Sequence, residues 1–179
     1  LELSETELLH QCIFMLNAGH ETSTNMLSHG LNELINHRDQ YKLLQKEPGR
    51  IDTAIEEILR FQPPIQINNR RCLEKTFLGD VMIPEGTSVH MIIAAANRDP
   101  SQFFEPEIFN ISRSPNRHLS FGLGIHICAG INLARLEAKV AFQSLLSSFK
   151  EINLLKKPNI ANRIRFREIK EMQIQVSSF

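Results

Sequence analysis

The chain has 179 residues, 42% hydrophobic and 22% charged, and its 20 Lys and Arg balance 20 Asp and Glu. At about 150 residues per domain this is one domain, able to bury roughly 70% of its unfolded surface, which excludes a compositionally disordered chain. Zero net charge removes any bulk electrostatic drive toward nucleic acid or an anionic membrane. No apolar run nears the ~20 residues of a spanning helix, and the opening LELSETELLH is too acidic for a signal peptide, so the sequence predicts a soluble, cytoplasmic protein. Three cysteines, Cys12, Cys72 and Cys128, without C-x-x-C spacing predict reduced thiols rather than disulfides or a zinc ribbon. Leu1, not Met, opens the chain, and a helix signal follows within three residues, so the chain is expected to be a piece of something larger.

Ser4-Glu5-Thr6-Glu7 has the form of a capping box. Leu8, Leu9, Cys12, Ile13 and Leu16, then Met26, Leu27, Leu31, Leu34 and Ile35, recur at helical spacing and predict one long helix over 4–36. Its middle, Ala18-Gly19-His20-Glu21-Thr22-Ser23-Thr24, breaks the local rule, since Gly costs about 1 kcal/mol relative to Ala in a helix and Thr gains little there. Helices follow over 38–46, stopped by Pro48-Gly49, and over 52–61, stopped by Pro63-Pro64. Residues 65–93 read as one small antiparallel sheet, with a type I turn at Pro84-Glu85-Gly86. A meander with three prolines spans 97–117, a Gly-rich loop 121–130 and an amphipathic helix 131–149. Strands end the chain over 150–179, Met172–Val176 reading as an edge strand. The fold class is mainly α with small antiparallel β-sheets.

The loop Phe121-Gly122-Leu123-Gly124-Ile125-His126-Ile127-Cys128-Ala129-Gly130 is the most informative stretch. A dinucleotide fingerprint needs glycine where Ile127 stands, and a P-loop needs a G-K-[ST] ending that is absent, so phosphate binding is disfavoured. A cysteine hydrolase would want a base beside Cys128, and His126 is close in sequence only; zinc would want further ligands at short spacing. Both remain open. A thiolate metal ligand suits the loop, because glycines let backbone N–H groups approach sulfur and the following helix favours an anion at its start. A buried, inert cysteine in a tight turn is the plain alternative.

With Phe121, Gly124, Cys128 and Gly130 at the fixed positions of F-x-x-G-x-x-x-C-x-G, the loop resembles the haem-thiolate loop of the cytochrome P-450 family. The resemblance implies that Cys128 is the proximal axial ligand of haem b (iron protoporphyrin IX), whose thiolate favours O–O cleavage. It places Gly122 and Gly130 against the cofactor, His126 on a haem propionate and Phe121 beside the ligand. Glu57 and Arg60 lie at i, i+3 on a predicted helix, where an ordinary surface pair is worth under about 1 kcal/mol. They match the family's E-x-x-R pair, which is buried and locked to a third basic residue from the meander; Pro106-Glu107-Ile108-Phe109 lacks the arginine common there, leaving Arg98 and Arg113 as substitutes. Arg70, read as lying just before a strand with Arg71 beside it, resembles a second propionate partner. Ala18-Gly19-His20-Glu21-Thr22 resembles A-G-x-[DE]-T, in which small residues make room above the haem and the acid and alcohol relay protons. The plain alternative for Thr22 is a hydroxyl bonded back to the Ala18 carbonyl, and for His20 and Glu21 solvation.

The resemblance covers Ser4 to Phe149 and implies the C-terminal portion of the family's fold. It implies a monooxygenase that activates O2, takes electrons from a ferredoxin- or flavodoxin-type donor and hydroxylates a small apolar organic substrate. A non-catalytic haem-binding or interaction fragment is the competing expectation, with self-association of the chain and weak haem retention. Peroxide-driven oxidation on the same scaffold is disfavoured by the acid–alcohol pair.

Overall fold

The computed structural model describes residues 2–179. Ser4 is the N-cap of helix α1 (Glu5–Asn36): its hydroxyl accepts from the Glu7 backbone N–H at 3.3 Å, and the Glu7 carboxylate accepts from the Ser4 N–H at 2.8 Å. The helix runs unbroken through Gly19 for 32 residues, about 48 Å at 1.5 Å per residue. It tolerates its polar centre because the hydroxyls of Thr22, Thr24 and Ser28 donate to the carbonyls of Ala18, His20 and Thr24, at 2.6, 2.9 and 2.8 Å. Its two halves meet different surroundings. Every residue from Glu5 to His20 is exposed, including Leu8, Ile13, Phe14 and Leu16, whereas Met26, Leu31 and Leu34 enter the core.

Helix α2 (Arg38–Lys46) follows after the single residue His37, and α3 (Ile51–Phe61) begins one residue earlier than the sequence predicts, after a 3-10 turn at Pro48–Arg50. Strand β1 (Ile67–Arg71) pairs antiparallel with β4 (Ser88–Ile92), while β2 (Thr76–Leu78) and β3 (Val81–Ile83) form a separate hairpin. The single sheet expected over 65–93 is therefore two ribbons. Before β1 the Gln66 N–H turns to the Arg165 carbonyl at 2.9 Å while its carbonyl still accepts from Ala94 N–H at 3.2 Å, and Ile93 opens a one-turn helix, α4 (Ile93–Ala96). The turn is also corrected: with Thr87 N–H on the Pro84 carbonyl at 3.3 Å and Gly86 at φ +80°, it is type II, not type I.

Residues 97–130 hold only turns before α5 (Ile131–Ser148), which stops one residue short of the expected 149. The C-terminal residues form two more ribbons, β5 (Glu151–Leu154) with β8 (Ile174–Ser177) and β6 (Asn159–Ile160) with β7 (Ile169–Glu171). The strand expected over Met172–Val176 starts at Ile174, since Met172 and Gln173 link β7 to β8. Helices α1, α3 and α5 surround the core and cross at Gly30, where a Cβ would lie 2.6 Å from Phe142 Cζ and 2.9 Å from Ile58 Cγ2. No side chain fits that crossing. Burial pushes the pKa of His29, next to Gly30 on α1, below its usual value, against the opposing effect of its Nε2–H bond to the Arg167 carbonyl. Among the described residues no helix is long and apolar enough to cross a membrane.

Candidate functional site

Glu57 and Arg60, one turn apart on α3, are both fully buried. Arg60 Nε and Nη2 each donate to a Glu57 oxygen at 2.8 Å, the parallel fork that makes such pairs strong. The third cation is Arg113, whose Nε stands 3.1 Å from Glu57 Oε2. Arg98 instead reaches Glu107 and the Phe61 carbonyl, with its guanidinium 4.1 Å from the Phe61 ring centroid. Asn116 Nδ2 and the Asn110 N–H complete the donors on Glu57. The remaining guanidinium N–H groups bind meander carbonyls: Arg60 those of Asn97, Pro106 and Ile108, and Arg113 those of Phe104, Glu105 and Ile108. One carboxylate and two guanidinium groups thus hold a segment that has no regular structure of its own.

Asn97, fully buried, passes this anchoring to the cysteine loop. Its carbonyl takes Arg60, its Oδ1 accepts from the Leu119 N–H at 2.8 Å, and its Nδ2 donates to Ser120 Oγ at 2.9 Å, which in turn donates to the Leu59 carbonyl at 2.6 Å. The loop then turns through Gly122 and Gly124, at φ +73° and +78°, a region that only glycine enters without strain. The Cys128 N–H closes it on the Phe121 carbonyl at 2.9 Å. Cys128 is half-buried and lies just before α5, whose N-cap is Gly130. A Cβ on Gly130 would stand 3.9 Å from the Cys128 sulfur. His126 ends a 3-10 turn (Gly124–His126) and is exposed.

Arg70 sits inside β1, opposite Val89, and not before a strand as the sequence reading has it; it is exposed. Arg71 points to the other face of the ribbon, as successive strand residues do, toward Gly86. On α1, Ala18 and Gly19 are exposed, and a Cβ on Gly19 would meet nothing within 4 Å. The Thr22 hydroxyl donates to the Ala18 carbonyl, and Glu21 Oε1 accepts from Arg163 Nη1 at 3.3 Å. Glu21 and Arg163 line a cleft of about 470 Å3 together with Asn17, His20 and Asn25. Asn25 is 1% exposed and both polar atoms of its side chain lack protein partners.

Sequence reasoning passed over Glu56, His118 and Arg135. Arg135 Nε and Nη2 donate to the two Glu56 oxygens at 2.7 Å each, and the His118 ring lies 3.1 Å from Glu56 Oε2. The Ser120 N–H donates to His118 Nδ1, so the ring proton is on Nε2, facing Glu56. Burial works to raise the Glu56 pKa, but the hydrogen bonds from His118 and Arg135 and the guanidinium charge outweigh it and hold the carboxyl at about 2. The available signal was the pair of adjacent carboxylates, Glu56-Glu57: on a helix they point about 100° apart and cannot share one role.

Among the described residues no cluster of three or more His, Cys, Asp or Glu could hold a bare metal ion. The donor set is one soft sulfur amid exposed apolar side chains, Leu123 at 79%, Ile125 at 95% and Ile127 at 50%. That fits a flat apolar group which brings its other ligands with it. Residues 1–170 match the family described as Cytochrome P450.

The chain belongs to the cytochrome P450 family.

It is 44% identical over 153 residues to the biotin biosynthesis cytochrome P450 of Bacillus subtilis (strain 168), covering 86% of this chain and 39% of that protein. To the polyketide biosynthesis cytochrome P450 PksS of the same organism it is 43% identical over 159 residues, covering 88% of this chain and 39% of that one. The crystal structure of P450BioI in complex with an acyl carrier protein ligated to hexadec-9Z-enoic acid superposes with a TM-score of 0.96 at 40% identity, covering 98% of this chain and 46% of that chain. The chain thus spans about two fifths of the curated relatives it matches. Membership brings a haem-iron cofactor.

Proposed function

We propose that the chain is the cysteine-bearing part of a monooxygenase that hydroxylates a small apolar organic substrate. The reaction consumes one O2, two electrons from a ferredoxin- or flavodoxin-type donor and two protons; one oxygen atom enters a C–H bond as hydroxyl and the other leaves as water. Haem b, bound through the Cys128 thiolate, supplies the redox chemistry. The observation that carries this reading is the position of Cys128: a half-buried thiol at the end of a glycine-shaped loop, directly before α5.

The chain's own residues divide the remaining work. Ala18 and Gly19 on one side and Gly122 and Gly130 on the other carry no bulk and let a flat cofactor approach. Leu123, Ile125 and Ile127 cover it and exclude water, Phe121 packs beside the sulfur, and Arg70 and His126 pair with the propionates. Glu21 and Thr22 move protons. Each is held by another group in this structure, Glu21 by Arg163 and the Thr22 hydroxyl by its own helix, so each must release that partner before it transfers. The acyl chain in the P450BioI complex supports an apolar substrate.

A second reading is favoured by the exposed apolar residues of the first half of α1: alone, these 179 residues self-associate and retain haem poorly, without turnover. Patches beyond a few hundred Å2 ordinarily drive association. One experiment tests the ligand. In the haem-loaded protein, Cys128→Ala is expected to abolish the far-red-shifted Soret band of the reduced carbonyl complex, and Cys12→Ala and Cys72→Ala to leave it. An unchanged band in Cys128→Ala would overturn the assignment.

A further inference from the structure

Glu56 is the point at which three parts of the chain meet: α3, which carries it, α5 through Arg135, and the segment entering the cysteine loop through His118. Both partners of Glu56 also lie beside the Phe121 ring. The Arg135 guanidinium lies 5.1 Å from the Phe121 ring centroid, and the His118 ring centroid lies 5.9 Å from it. Phe121 in turn accepts, through its carbonyl, the N–H of Cys128 at 2.9 Å.

His118 cannot turn freely, because Ser120 N–H fixes Nδ1 as an acceptor and leaves only Nε2–H for Glu56. Its side chain is 3% exposed. Arg135 cannot turn freely either, because both oxygens of Glu56 hold its fork, and a planar guanidinium held this way presents its face to a ring. We infer that Glu56, through Arg135 and His118, is a positioning group that sets the Phe121 ring beside the cysteine ligand and thereby the environment of the sulfur. The inference rests on the haem-thiolate reading above and is independent of the buried Glu57–Arg60–Arg113 cluster, which holds the meander.

The test uses haem-loaded full-length protein with Arg135→Lys, which keeps the charge and loses the fork and the planar face. Lys139→Ala is the comparison, since Lys139 joins the same two helices through Asp52, in an exposed pair of 38% and 70% accessibility. The readouts are the haem reduction potential and the lifetime of the red-shifted Soret band of the reduced carbonyl complex. Arg135→Lys is expected to shift the potential and to shorten the band's lifetime about tenfold, the scale of one lost hydrogen bond to a charged group. Lys139→Ala is expected to leave both at the wild-type value, and in a Phe121→Leu background Arg135→Lys is expected to add no further change.

Wild-type potential and lifetime in Arg135→Lys would overturn the inference, as would an equal effect from Lys139→Ala or additivity with Phe121→Leu. Loss of soluble protein in both Arg135→Lys and Glu56→Gln would also overturn it, by making the cluster part of the scaffold alone. A wild-type protein with no red-shifted Soret band would instead sink the haem-thiolate reading itself, whatever the variants do.

Discussion

Arg113 reaches back 56 positions to set its Nε 3.1 Å from Oε2 of Glu57, a carboxylate that no solvent touches. The contact closes the meander onto α3 and decides which of two candidate arginines completes the cluster. Its energetic meaning is asymmetric. A buried carboxylate flanked by two guanidinium groups adds little over an apolar core of equal shape, but removing it strands the buried charge of Arg60 and the largely covered charge of Arg113.

Glu57→Ala is therefore expected to cost about 3–5 kcal/mol, a large share of a domain's stability. Yield of soluble holoprotein and denaturant midpoints measure it. Arg113→Ala should fall in the same range, while Arg98→Ala, whose partner Glu107 is largely exposed, should cost about 1 kcal/mol or less. Equal costs at Arg98 and Arg113 would contradict the arrangement.

Gly30→Ala places a methyl group 2.6 Å from Phe142 Cζ and 2.9 Å from Ile58 Cγ2. Overpacking of this kind costs about 1–3 kcal/mol. Because Phe142 supplies the nearest atom, combining Gly30→Ala with Phe142→Leu should cost less than the sum of the two single changes. Strict additivity in thermal unfolding would show that the helices part without strain.

Glu56 gives a pH dependence with a definite sign. Its carboxyl is held at about 2 in the folded protein against a usual 4.5, so folding favours the ionised form. The stabilisation is complete above about pH 4.5 and is lost as pH falls through about 2. Between those limits the wild type should lose stability more steeply on acidification than Glu56→Gln. Parallel curves from acid titrations of the two proteins would count against an ionised, paired Glu56.

Thr22→Val separates local from chemical roles. The Thr22 hydroxyl bonds only to the carbonyl of its own helix, so stability should move by no more than about 0.5 kcal/mol. Product formation by the full-length enzyme should fall sharply if the relay proposed above is right, because the hydroxyl proposed to pass a proton is gone. Undiminished product formation would remove Thr22 from the proposed relay.

What the sequence showed and what it hid follow from the range of the interactions involved. The start of α1 was legible because Ser4 and Glu7 satisfy each other within one turn, and the end of α3 because Pro63-Pro64 stops a helix by covalent geometry. The partner of Glu57 was not legible, since Arg98 and Arg113 are equivalent until the meander's path is known. The division of residues 65–93 into two ribbons was hidden as well, because β1 passes over its sequence neighbour β2 to pair with β4, a partner set by the path of the chain between them. The Thr22 alternative was legible in full, being an i−4 bond, and the role of Glu56 was not, because its neighbour Glu57 carries the same charge on the same helix.

The divided surroundings of α1 also set how a single helix exchanges its amide hydrogens with solvent. From Glu5 to His20 the backbone is held only by its own helical bonds, with exposed side chains on every side, while from Asn25 to Leu34 it is clamped by α3 and α5. Opening of the first half needs only fraying, and opening of the second needs separation of the core. In deuterated water the same continuous helix should therefore show rapid isotope uptake before Glu21 and slow uptake after Asn25, with the change in rate falling at the Glu21–Thr24 segment.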